Sequence, residues 1–327
     1  MIDTLRNQAV AALATLALCC LPSSAKSQAG YPSQPIKLIV PAAAGGGPDV
    51  AARALAKFLQ ERLHASVIVE NRPGAGSSIG AAIVTNSPAN GYTFLVSDGA
   101  IVSTNPLLHK QLPYNPQDLV PVALFARAPL FLAVRPSMPV TTMKEFVEFV
   151  RARPGQLNYG SSGIGTVHHL TMEAIKSSLH LSITHVPYRG SGESVAALRG
   201  GQIDIVLAAY PALKGFAAEK RATLIAQSGP ERLSMAPEVP PISDTIAGFD
   251  LAPVYGFYAR RGTPPAAIDK ISAAVAAIVK DPDLARQFAA NLGIEPLAGG
   301  PAEFGQALKK ETERVATIVR TLGIKPQ

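Results

Sequence analysis

Cysteine is nearly missing from this chain of 327 residues, where Cys19 and Cys20 are the only two. Both fall in an N-terminal stretch that reads as a targeting segment. Arg6 supplies its positive charge, Ala9 to Leu21 its apolar centre, and Ser27-Gln28-Ala29 a small-x-small cleavage site. Ser23-Ser24-Ala25 is a second site of the same kind. A chain cleaved near Ala29 holds no cysteine, which excludes disulfides and thiolate chemistry. A lipid anchor is disfavoured, because Leu18 precedes Cys19 where a small residue is wanted. The apolar stretch is too short to span a bilayer, and no later segment is long and apolar enough to do so. Charged residues are also sparse, at 16%, and the basic ones behind the net charge of +7 are scattered. That distribution gives little support to a nucleic-acid partner and suits small anionic ligands. With 47% hydrophobic residues the chain has material for a sizeable core, in one large or two medium domains.

Catalytic motifs are missing too. Gly74-Ala75-Gly76-Ser77-Ser78-Ile79-Gly80 has one residue too many before its last glycine for a dinucleotide fingerprint. No phosphate-loop lysine follows a glycine run, and there is no G-x-S-x-G elbow. His169 and Glu173 share a helix face next to His168, but no third metal ligand stands near them. His64, His109, His180 and His185 have no triad partner by spacing. The expectation is therefore no enzyme, no catalytic residue, no cofactor and no metal. An exported enzyme acting on small acids is the alternative of a different class.

What the chain does have is a regular alternation. Apolar and β-branched runs predict strands at 36–40, 67–70, 94–97, 120–125, 130–135, 158–160, 184–187, 203–207, 223–227 and 254–259. Helical spacing predicts helices at 49–63, 79–86, 142–153, 167–179, 193–200, 213–218, 266–280, 281–292 and 301–322. The pattern is α/β with mostly parallel sheets, whose ligands bind beyond the carboxyl ends of strands. Two strand-rich stretches, 120–135 and 223–259, read as crossings between lobes. Residues 30–128 with 252–327 then build a first lobe, and 129–251 a second.

Three glycine loops each sit between a strand and a helix. The first, Ala44-Gly45-Gly46-Gly47-Pro48-Asp49, feeds a helix N-terminus, where backbone N–H groups and the helix dipole favour an anion. An ordinary βα turn explains it equally well. The second is Ser161-Ser162-Gly163-Ile164-Gly165-Thr166, with Thr166 as N-cap of the following helix. Its hydroxyls and N–H groups suit a carboxylate, and a capped turn is again the plain alternative. The third, Pro187-Tyr188-Arg189-Gly190, offers Tyr188 for packing on a ligand or merely at a domain surface. Asp98, at the end of a first-lobe strand, either selects an amino or hydroxyl group or caps the next turn, the reading we favour.

Taken together these residues resemble the substrate-binding proteins of tripartite tricarboxylate transporters, the Bug family. The likeness runs through Tyr31-Pro32-Ser33-Gln34-Pro35-Ile36, Glu70-Asn71-Arg72-Pro73-Gly74-Ala75-Gly76, Pro154-Gly155-Gln156-Leu157-Asn158-Tyr159 and Val186-Pro187-Tyr188-Arg189-Gly190. It implies a two-lobed periplasmic binding protein of type 2, with two hinge crossings, that closes around a small carboxylate and delivers it to membrane permease subunits. It further implies a periplasmic protein, expected to be a monomer. A ligand-sensing role, with the closed state read by a membrane kinase, is the alternative with the same fold. Ligand contacts are expected from Ala44, Gly45, Gly46, Gly47, Asp49, Asp98, Ser161, Ser162, Gly163, Gly165, Thr166, His168, Tyr188, Ala208 and Ala209. Departures from the family pattern cluster here: Gly47-Pro48 replaces Ser-Thr, Ala208-Ala209 replaces Asp-Asn, and Val254-Tyr255-Gly256 replaces Trp-Phe-Gly. They predict a less polar pocket, suited to a carboxylate with an apolar or aromatic body.

Overall fold

A computed structural model describes residues 30–327 except Ala43, Gly45, Gly46, Lys325 and Gln327. The targeting segment expected at residues 1–29 lies outside the described residues. The chain divides into two units, Met1–Ser33 and Gln34–Gln327. Of the first only Gly30 to Ser33 is described, with a cis peptide between Tyr31 and Pro32. Everything below concerns the second.

Eleven strands are described: β1 Ile36–Val40, β2 Val67–Asn71, β3 Thr93–Asp98, β4 Leu119–Arg127, β5 Leu130–Val134, β6 Asn158–Ser161, β7 Thr184–Pro187, β8 Ile205–Ala209, β9 Thr223–Gln227, β10 Val254–Arg260 and β11 Glu295–Gly299. They form two sheets. One has the order β11-β4-β10-β3-β1-β2, the other β7-β6-β8-β5-β9. The chain leaves the first sheet after β4, enters the second at β5 through Ala128 and Pro129, and returns between β9 and β10. The two passages are tied where Ala128 N–H donates to Pro253 O at 2.9 Å.

The strands form because each carries a face, or both faces, of apolar residues. Ile36, Leu38, Ile39 and Val40 of β1 are all buried, as befits a strand inside a parallel trio with β2 and β3. All five residues of β5 are buried between β8 and β9 in the second sheet. The expectation of mostly parallel sheets is corrected, since five of the nine pairings are antiparallel. The cause is the double passage. β10 arrives from the second sheet and runs antiparallel between β3 and β4, with no crossover helix to turn it round.

β11 was not expected either. Its five residues include Pro296 and Gly299, which suit the edge position it takes beside β4. The helix predicted at 281–292 is α-helical only over Pro282–Gln287 and continues as a π turn, Phe288–Leu292. Helix Pro301–Thr321 seats on the first sheet by pressing Phe304 against Tyr258, at 4.9 Å between ring centroids. Its far end meets helix Val167–Leu179, which covers the second sheet, through Leu170, Val315 and Val319. Among the described residues no helix is long and apolar enough to cross a membrane.

Candidate functional site

A cavity of about 790 Å³ opens where these two helices and the crossing segments converge. One wall comes from residues 75–77, Asp98 and the turns Ala100–Ser103 and Asn105–Leu108. The opposite wall is the second glycine loop with the start of helix Val167–Leu179. Arg127 and residues 250–255 supply the crossing end, and helix Pro301–Thr321 contributes Lys310, Glu311 and Arg314.

The second glycine loop is tightly tied. Thr166 caps its helix by accepting from His169 N–H, and its hydroxyl donates to Gly163 O at 2.7 Å. Gly163 N–H donates to Ser161 Oγ at 3.1 Å, and Gly165 N–H to His169 Nδ1 at 3.1 Å. Three of the donors expected for a ligand, the N–H groups of Gly163, Gly165 and Thr166, are thus spent within the loop. What reaches the cavity is Ser162, whose Oγ lies 2.7 Å from His168 Nδ1, together with Ile164, 62% exposed at the loop tip. Burial pushes the His168 imidazole down to about 4, so it is neutral at pH 7 and pairs with a hydroxyl without bringing charge.

Behind the loop, the ring of His185 stacks between His169 and Tyr159, at 4.3 and 4.7 Å between centroids. Ser161 Oγ lies 2.7 Å from His185 Nε2. Glu173 takes the Tyr159 hydroxyl at 2.7 Å and the Lys176 ammonium at 2.5 Å. The His169 and Glu173 pair noted for metal spacing is therefore engaged in packing and hydrogen bonds. No group of three metal-ligating side chains occurs among the described residues.

On the facing wall, Asp98 Oδ1 accepts from Ala100 N–H at 3.1 Å, the capping role. Burial raises its pKa above the ordinary carboxylate value, against that hydrogen bond. Glu311, beside it, is pushed up to about 7 by burial, and Ser103 Oγ lies 2.5 Å from its Oε1. Arg314 is anchored to the returning passage, with Nη1 2.9 Å from Asp250 Oδ2.

Of the other expected contacts, Gly45 and Gly46 lie outside the described residues. Asp49 is buried and holds Asn71 Nδ2 at 2.9 Å and Arg53 Nε at 2.9 Å. Ala44 is exposed, and Tyr188 is half-buried with its N–H donating to Ser161 O. Ala208 is enclosed in the core of the second sheet, while Ala209 is exposed at the carboxyl end of β8. Asp98, Ser162, Gly165, Thr166 and His168 line the cavity, and Ala44, Asp49, Ser161, Gly163, Tyr188, Ala208 and Ala209 do not.

The cavity also draws in residues the sequence did not single out as contacts. Ala75, Gly76 and Ser77 follow one another at φ of 46, 58 and 73°, and strain at the two non-glycine positions is held by Asn105, whose Nδ2 donates to Gly76 O at 2.8 Å. The run Gly74-Ala75-Gly76 was the available signal. Tyr255 was signalled only as part of the Val254-Tyr255-Gly256 departure, and Arg127, Asp250, Glu311 and Arg314 gave no signal, because isolated charges read as surface until the passages bring them together.

The profile of the tripartite tricarboxylate transporter family receptor, TctC, matches residues 51–324. A UPF0065 protein of Bordetella pertussis is 34% identical over 319 residues, covering 96% of this chain and 97% of its own. Among solved structures, an R. palustris protein with adipate is similar at a TM-score of 0.80 and 31% identity, over 91% of this chain and 100% of that one. MatC from Rhodopseudomonas palustris, with bound malate, is similar at 0.73 and 26%, over 88% and 100%.

Proposed function

Because the chain belongs to the tripartite tricarboxylate transporter receptor family, we propose that it is an exported solute-binding protein that captures a small carboxylate in this cavity and hands it to a membrane permease. Two solved relatives hold adipate and malate, both small carboxylates. The observation that carries the reading is the cavity itself, walled by the Ser162 to His168 segment on one side and Asp98 on the other. Its size lies within the range of small-molecule sites, with room for a ligand and its water.

In this reading the two sheets mark lobes at 30–128 with 252–327 and at 129–251, which hinge on the two passages. The carboxylate meets Ser162 and the start of helix Val167–Leu179, where the dipole favours an anion. Ile164, Leu108, Leu170 and Tyr255 line the remainder, so the ligand carries an apolar or aromatic body.

The test is thermal unfolding of the mature protein against mono-, di- and tricarboxylates, aromatic acids and amino acids. A ligand that binds only the folded state raises Tm by mass action, by an amount that grows with its concentration over Kd. One acid class giving a concentration-dependent rise is expected. A flat response across all acids, with no acid released on denaturing the protein, would overturn the carboxylate reading.

A further inference from the structure

Two arginines have an Nε shut away from solvent. For Arg135 the counter-ion is at hand, with Asp204 Oδ1 2.8 Å away. Arg127 has none. Its Nε has no hydrogen-bond partner, and among the described residues its guanidinium makes no ion pair. Yet it sits at the last position of β4, fixed in register opposite Val254 of β10 and Glu295 of β11, and it lines the cavity at the crossing end.

Two acids stand near it, and among the described residues neither forms an ion pair with it. Asp250 gives Oδ2 to Arg314, while its buried Oδ1 has no hydrogen-bond partner. Glu295, facing it across the strands, stays beyond ion-pair distance, and burial raises its pKa despite the field of Arg127. A charged donor enclosed without a partner is costly. A planar guanidinium fork is matched in shape by one group in particular, a carboxylate taken through two parallel hydrogen bonds.

We propose that Arg127 is a ligand-contacting residue that clamps a second anionic group of the solute, so that the preferred ligand carries acids at both ends, one on Arg127 and one at the Ser162 loop. The inference rests on the carboxylate reading above and adds an anchor to it. It also explains how an apolar mid-section and a charged pocket coexist. The apolar side chains of the cavity lie along the ligand's body, and its two ends take the polar stations.

Titration calorimetry with adipate and with hexanoate, equal in chain length and differing by one carboxylate, tests it. Wild type is expected to bind adipate at least ~10-fold more tightly, the factor that about 1.4 kcal/mol gives. Arg127→Gln is expected to remove that preference by weakening adipate while leaving hexanoate within about twofold, on the same scale. Arg127→Lys is expected to fall between, since the charge remains and the fork is lost. Equal binding of the two acids by wild type overturns the proposal without any variant, as does an adipate preference that survives in Arg127→Gln. If hexanoate weakens as much as adipate in Arg127→Gln, the residue acts through structure and the clamp is rejected. If wild type binds no acid of any class, the carboxylate reading has failed first and the clamp falls with it.

Discussion

Ser103 carries one hydroxyl proton and has two oxygen acceptors in reach, Gly99 O at 2.9 Å and Glu311 Oε1 at 2.5 Å. A protonated Glu311 resolves the conflict by donating to Ser103, which then donates to Gly99. Burial, which pushes Glu311 up to about 7, works toward that state, and neighbouring Asp98 adds to it. A carboxyl whose folded pKa is raised contributes stability that is complete below its unfolded value near 4.5 and is lost as pH rises through about 7. Glu311→Gln keeps a neutral donor at every pH. The variant is expected to match wild type near pH 4.5 and to exceed it at pH 8 by up to about 3 kcal/mol, from 1.36 kcal/mol per pKa unit. Thermal unfolding across that range checks it, and a constant difference would show that Glu311 does not titrate there. His168 and His185 pull the other way. Burial lowers both to about 4, so their contribution is present above 6.5 and fades as pH falls. The difference between variant and wild type therefore isolates Glu311, where the absolute curve does not.

Helix Pro301–Thr321 owes its seat to a glycine. A Cβ at Gly256 would stand 2.2 Å from Phe304 and 2.6 Å from the Ala123 carbonyl oxygen, and the latter belongs to the neighbouring strand. Gly256→Ala is expected to cost about 3 kcal/mol, the upper end for overpacking, read as a lower midpoint in urea. A shift under about 0.5 kcal/mol, the size of a neutral surface change, would mean that the helix floats free of the sheet. Elements with strong local signals were legible in the chain. Helix Val167–Leu179 and strands β1, β7 and β9 end where their caps, loops and β-branched runs say they do. β11 was not legible, since proline and glycine at an edge leave no alternation to read. The turns Ala100–Ser103 and Asn105–Leu108 were missed because four residues are too few for a helical period. Strand direction was misjudged for a different reason. Alternation of elements says nothing about a segment that returns from a second sheet.

For the molecule as a whole, the apolar contact of Leu170 with Val315 and Val319 joins the helix over one sheet to the helix seated on the other. Leu170, 3% exposed, is expected to lose about 2 kcal/mol on change to alanine, the low end for such truncations, because the cluster is small. Urea unfolding with an unchanged slope would confirm a simple loss. An unaltered midpoint would show that the contact does not hold the halves together. The cavity depends on the same convergence, which is why it was only half readable. Residues of the Ser162 loop share a short stretch of chain and announce themselves. Arg127, Asp250 and Glu311 become neighbours only after the passages are made. The central place of β10 extends that dependence into time. Tyr258 of β10 hydrogen-bonds Asp98 O of β3 across 160 residues, with the entire second sheet encoded between them. A chain emerging N-terminus first makes β3 and β4 early and then waits, with both edges unpaired, for the strand that belongs between them. Such a high contact order slows folding, and open strand edges invite association with other chains. The arrangement that builds the binding cavity thus also sets a vulnerable interval during synthesis, which ends only when the last third of the chain arrives.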